Sequence, residues 1–102
     1  MEHIYILKLI ERLYDDNAWT EKDNLIVTEH FNKLQELKSE GKLILAGRTT
    51  NEGKDTFGIV IIKADEEEAK IIMKSDPAVE QGIMTAELFP YRVALISEEN
   101  AL

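Results

Sequence analysis

Two polar residues, His30 and Asp76, fall where the apolar pattern calls for leucine-like side chains. At about 100° per residue, Val27, His30, Phe31, Leu34 and Leu37 share one side of a predicted helix. A second predicted helix carries Ala69, Ile72 and Met73 on one stripe, and Asp76 continues it. A buried carboxylate needs hydrogen-bond donors or a charged partner. A nearby imidazole would supply one, and the carboxylate would fix the ring's tautomer and raise its basicity. The chemistry open to such a pair is proton transfer, with His30 as general base or acid and Asp76 orienting it. Two structural alternatives stand beside this reading. His30 is a core histidine bonded to a carbonyl, or Asp76, which precedes Pro77, is a helix cap.

Other residues are expected around such a site. Arg48 ends a predicted strand after Ala46-Gly47 and would hold an anionic group of a substrate. Trp19 and Tyr14 flank a polar loop and would wall a pocket, and Tyr91 would line the site or a subunit interface. The expected substrate-binding set is therefore Arg48, Trp19 and Tyr91. Other chemistries lack their residues. The chain has no cysteine, which removes disulfides, thiolate nucleophiles and cysteine-ligated metals. Gly47, Gly53 and Gly58 do not form a phosphate loop. Two histidines without ligand-like spacing give no metal site, and Ser39, Ser75 and Ser97 lack a nucleophile elbow. No cofactor and no metal are expected.

The elements that must position these residues alternate in type. Ile4 to Ile10 reads as a strand, followed by a loop from Arg12 to Trp19. Thr20 with Asp23 forms a capping signal for a helix running to about Glu40, which Gly41 can terminate. Leu43 to Arg48 and Phe57 to Lys63 read as hairpinned strands around a polar turn. Asp65 with Glu68 opens the second helix. Asp76 ends it before Pro77 and can cap a short helical turn from Pro77 to Gly82. Met84 to Ile96 is extended, with Pro90 marking a bend or an edge. The order β-α-β-β-α-β predicts an α+β ferredoxin-like fold, a four-stranded antiparallel sheet with both helices on one face. One domain is expected over residues 1–97, with a frayed tail at 98–102.

A sheet covered on one face should alternate apolar and polar residues, and these strands do not. Tyr5, Leu7 and Leu9 oppose Ile4, Ile6 and Ile10. Phe57, Ile59 and Ile61 oppose Val60 and Ile62. Phe89, Tyr91, Val93 and Leu95 oppose Leu88, Ala94 and Ile96. Two helices cover one face only, and the other would expose a large apolar patch. A homodimer packed sheet against sheet through a two-fold axis is expected. The net charge of −8 disfavours nucleic acid and anionic membranes as partners. No apolar run reaches the roughly 20 residues of a spanning helix, and the start of the chain has no secretory pattern. A cytoplasmic protein with a small-molecule ligand is expected.

Several segments together resemble the YciI-like, or YCII-related, family: Glu29-His30-Phe31-Asn32-Lys33-Leu34, Gly41 to Arg48, Phe57-Gly58-Ile59-Val60, Ala69, Ser75-Asp76-Pro77-Ala78-Val79 and Pro90-Tyr91-Arg92. The resemblance spans nearly the whole domain. It implies a ferredoxin-like dimeric α/β barrel, related to small dimeric enzymes such as muconolactone isomerase. It also implies a histidine–aspartate site that maps onto His30 and Asp76. Many members carry Gly-Pro where this chain has Gly47-Arg48. One branch is similar to a dehydrochlorinase of a chlorinated hydroxyquinol.

The first functional reading is a small cofactor-free enzyme that eliminates or isomerises a small cyclic or aromatic compound. The second is a non-catalytic metabolite-binding dimer. A third, by fold analogy alone, is a haem-handling dimer with His30 as axial ligand.

Overall fold

The computed structural model describes residues 1–97. The expected frayed tail, 98–102, lies outside the described residues. The chain forms β1 (Glu2–Leu9), α1 (Glu21–Ser39), β2 (Leu43–Arg48), β3 (Gly58–Lys63), α2 (Glu66–Ser75), α3 (Pro77–Glu80) and β4 (Met84–Tyr91). The strands make one antiparallel sheet in the order β2-β3-β1-β4. This is the ferredoxin-like arrangement, with β1 and β3 central.

Local chemistry sets the helix starts. Thr20 and Asp23 form a complete capping box at α1. The Asp65 carboxylate accepts the Glu68 N–H at 2.8 Å to open α2. The expected loop from Arg12 to Trp19 contains two short 3₁₀ turns, Glu11–Tyr14 and Asp16–Ala18. The second turn is capped by the Asp15 carboxylate, which accepts the Asn17 N–H.

The helix-facing side of the sheet follows from the register. Tyr5 stands opposite Val60 and Leu88, and Leu7 opposite Gly58 and Ala86. Tyr5, Leu7, Val60 and Ile62 pack with Leu34 and Leu37 of α1 and Ala69 and Ile72 of α2, so both helices cover one face. A second cluster joins Leu13, Ile26, Ala78 and Ile83, with Trp19 and Val27 against it. Phe31 departs from the expected buried stripe. It is 57% exposed, because the face of α1 toward the sheet centres on Ile26, Leu34 and Leu37.

The other face of the sheet carries Ile4, Ile6, Ile59, Ile61, Leu45, Phe89 and Tyr91, since these stand opposite one another in the register. Leu45, Phe89 and Tyr91 are all exposed there. The last strand is shorter than the expected span to Ile96. It ends at Tyr91, paired with Glu2, because β1 offers no further partner. Beyond it, the Val93 N–H still donates to the Glu2 carboxylate at 3.1 Å.

Candidate active site

The site begins with a break in helical continuity. Pro77 disfavours helix at the residue before it, and Asp76 adopts φ −59°, ψ 123°. Asp76 thereby closes α2, its N–H donating to the Met73 carbonyl at 3.3 Å, and opens α3. Its Oδ1 accepts the Ala78 N–H at 3.0 Å, a normal N-cap bond.

The same oxygen lies 2.7 Å from Nδ1 of His30, which projects from the middle of α1. The Tyr5 hydroxyl on β1 donates to Oδ2 at 2.9 Å. Asp76 is fully buried, so its charge is met by three donors from a helix, a strand and its own cap. The two sequence alternatives for Asp76 therefore coincide in one carboxylate, which caps α3 and also binds the imidazole.

These contacts fix which nitrogen of a neutral His30 carries the proton. An ionised carboxylate only accepts, so that nitrogen is Nδ1, and Nε2 then holds the lone pair. Among the described residues no protein group bonds Nε2, and no buried side-chain nitrogen or oxygen lacks a partner. Nε2 is therefore open to whatever enters beside it. Burial, together with the adjoining Asp76 charge, pushes the Tyr5 phenol far above its ordinary range. Tyr5 is thus a permanent donor to Asp76 and not a base.

The His30 ring lines a cavity of about 520 Å³, a size that suits a small organic ligand. Its walls are largely apolar, including Leu7, Leu34, Val60, Phe57 and Met84. Arg48 and Trp19 also line it. Arg48 reaches the helix side of the sheet because it stands opposite Gly58, whose other neighbour is Leu7. Asp76 lies behind His30, outside the cavity lining.

The structure separates Tyr91 from this group. It is opposite Glu2 on the open face of the sheet, 43% exposed, while the cavity lies under α1. The pleat sends alternate residues to opposite sides, so Tyr91 faces away with Phe89 and Ile4. Tyr14 is also exposed and outside the lining.

Tyr5, expected only as a strand residue, was not among the expected site residues. Its signal was present, because a tyrosine in the buried parity of a strand needs a partner for its hydroxyl. Phe57 was read as a strand residue and also stands in the wall.

Residues 7–91 match the model of the YCII-related domain family. The chain belongs to the YCII-related family. The match takes in His30, Arg48, Asp76 and Trp19, while Tyr5 lies just before it. No curated protein matches this YCII-related chain. Among solved structures it is similar to the 5-chloro-2-hydroxyhydroquinone dehydrochlorinase of Burkholderia phenoliruptrix AC1100, in complex with 2,5-dihydroxybenzoquinone. The TM-score is 0.64 at 20% identity, over 90% of this chain and 94% of that one. At this identity the likeness is one of fold.

Proposed function

We propose that this YCII-related protein is a small enzyme in which His30 and Asp76 carry out acid–base chemistry on a small cyclic or aromatic anion. The observation that supports it most is the 2.7 Å Nδ1–Oδ1 contact, joined to a ring that opens on a cavity. Nε2 would take a proton from a bound substrate, and Asp76 would stabilise the imidazolium that results. Arg48 would hold the anionic group, and the apolar walls with Trp19 would take the ring. Elimination and isomerisation both start from such a proton abstraction, and neither step calls on a cofactor. The solved dehydrochlorinase carries a dihydroxybenzoquinone, a small cyclic compound of the broad class proposed here.

We also place the chain in a homodimer closed through the open sheet face. Leu45, Phe89 and Tyr91 are exposed there beside Ile4, Ile6 and Ile59. A second copy would cover them in a dimeric α/β barrel.

The test uses wild type, His30→Ala and His30→Gln with 5-chloro-2-hydroxyhydroquinone and a panel of halogenated and hydroxylated aromatic acids. Product and chloride are followed together with gel filtration. A loss of about 10²–10⁴ in turnover with unchanged elution is expected. Equal turnover in wild type and His30→Ala removes His30 from the chemistry. Binding of panel compounds without any product favours the non-catalytic module.

A further inference from the structure

Trp19 is the only tryptophan of the chain, and it stands in the cavity wall. It lies in the segment between β1 and α1, where short turns give little repetitive hydrogen bonding. The peptide groups on either side of it are nevertheless tied down. The Arg12 guanidinium donates to the Ala18 carbonyl at 3.2 Å, just before Trp19. The Thr20 N–H, just after it, donates to Asp23 Oδ2 at 2.9 Å. Arg12 and Asp23 then join each other through two parallel bonds, Nη1–Oδ2 at 2.8 Å and Nη2–Oδ1 at 2.9 Å. The indole N–H donates to the Leu13 carbonyl at 3.1 Å, and Leu13 is buried in the second core cluster.

Helix capping alone does not call for this arrangement. The reciprocal Thr20–Asp23 bonds already complete the capping box. Arg12 is a further partner that a cap does not need, and its fork fixes direction as well as charge. Asp23 is itself buried, so the pair has one end anchored in the protein. The bonds from Arg12 converge on the chain around one side chain, and that side chain faces the cavity.

We propose that Arg12 is a positioning residue that, through Asp23 and the Ala18 carbonyl, fixes Trp19 as one wall of the cavity. The orientation of the indole then sets the width available to a planar ring beside His30. This inference rests on the reading of the cavity as the ligand site, but its deciding test needs no ligand.

Two variants are compared with wild type. Arg12→Met removes every guanidinium contact, and Arg12→Lys keeps the charge without the fork. Both are expected to keep the far-ultraviolet circular dichroism of the folded protein. Trp19 emission should shift to the red and acrylamide quenching should increase, more for Met than for Lys. Unchanged emission and quenching in the folded variants would overturn the proposal. A red shift seen only together with loss of the helical signal would overturn it too, because Arg12 would then support the fold at large.

With 2,5-dihydroxybenzoquinone as probe, Arg12→Met and Trp19→Phe should each weaken binding, and the double variant should be no weaker than Trp19→Phe alone. Additive losses would count against a route through Trp19. If the wild type does not bind this probe, the cavity reading suffers while the emission result stands by itself.

Discussion

The Tyr5 hydroxyl donates to Oδ2 of Asp76 at 2.9 Å, the carboxylate oxygen that His30 leaves free. A strand residue thus supports a helix-end carboxylate, which in turn orients a histidine on another helix. Tyr5→Phe would remove the only side-chain donor to Oδ2 among the described residues and leave a buried acceptor unpaired. A loss of about 1–3 kcal/mol in urea unfolding is expected, with the cavity wall unchanged because Tyr5 does not line it.

Alkaline titration gives a second check on the same residue. The folded state holds the Tyr5 phenol above its ordinary value, near 10 for a free tyrosine. Its contribution to stability is therefore complete below about pH 10 and declines as pH rises beyond it, because the unfolded chain gives up the proton first. The expected slope is about 1.4 kcal/mol per pH unit for this one group. Comparing unfolding of wild type and Tyr5→Phe across that range measures it, and equal slopes would rule it out.

On the acid side the relevant group is Asp23. The Arg12 guanidinium, followed by the Thr20 N–H, holds its carboxyl well below the usual carboxylate range. The sign is opposite to that of Tyr5. The contribution is present above about pH 4 and disappears as pH falls below it. Asp23→Asn should flatten the acid limb of the thermal stability profile, and a profile that stays parallel to wild type would contradict this.

The tautomer of His30 is directly observable. In its neutral form the imidazole should show Nδ1 protonated and Nε2 bare by nitrogen NMR. Asp76→Asn offers an amide in place of the carboxylate and should disturb this pattern. Asp76→Ala would in addition remove the cap of α3, at about 1 kcal/mol, the typical worth of a cap. A neutral ring with Nε2 protonated in wild type would remove the basis for its role as a base.

The assembly reading has its own probe. Phe89→Lys places a charge on the exposed sheet face, on edge strand β4 opposite Ile4. Light scattering should show a dimer for wild type and a monomer for the variant. A wild-type monomer would leave Leu45, Phe89 and Tyr91 to water and refute the dimer.

Much of this was readable from the chain because the relevant signals are local. Alternation along β1 and β3 separated the two sheet faces correctly, since the pleat makes parity a strict rule. Thr20 and Asp23 announced the start of α1, and Asp76-Pro77 announced the end of α2. His30 stood out because it interrupts an apolar stripe. The Arg12–Asp23 fork was not legible, since two residues 11 positions apart meet only through the path of the intervening turns. Tyr91 was misplaced for a different reason. Its parity was clear, but the side of the sheet that holds a cavity depends on how the helices leave a gap, and no strand encodes that. The end of β4 depends on where β1 begins, a property of the partner and not of residues 92–96.

Asp76 serves the start of a helix and the imidazole with a single oxygen. Drift at this position would therefore be felt twice, once at the start of α3 and once in the support of His30. New specificities in this scaffold have an easier route at Arg48, Phe57 and Trp19, where side chains meet the cavity without anchoring the backbone of α3. The molecule thus has a conservative rear support and a front that can be rewritten.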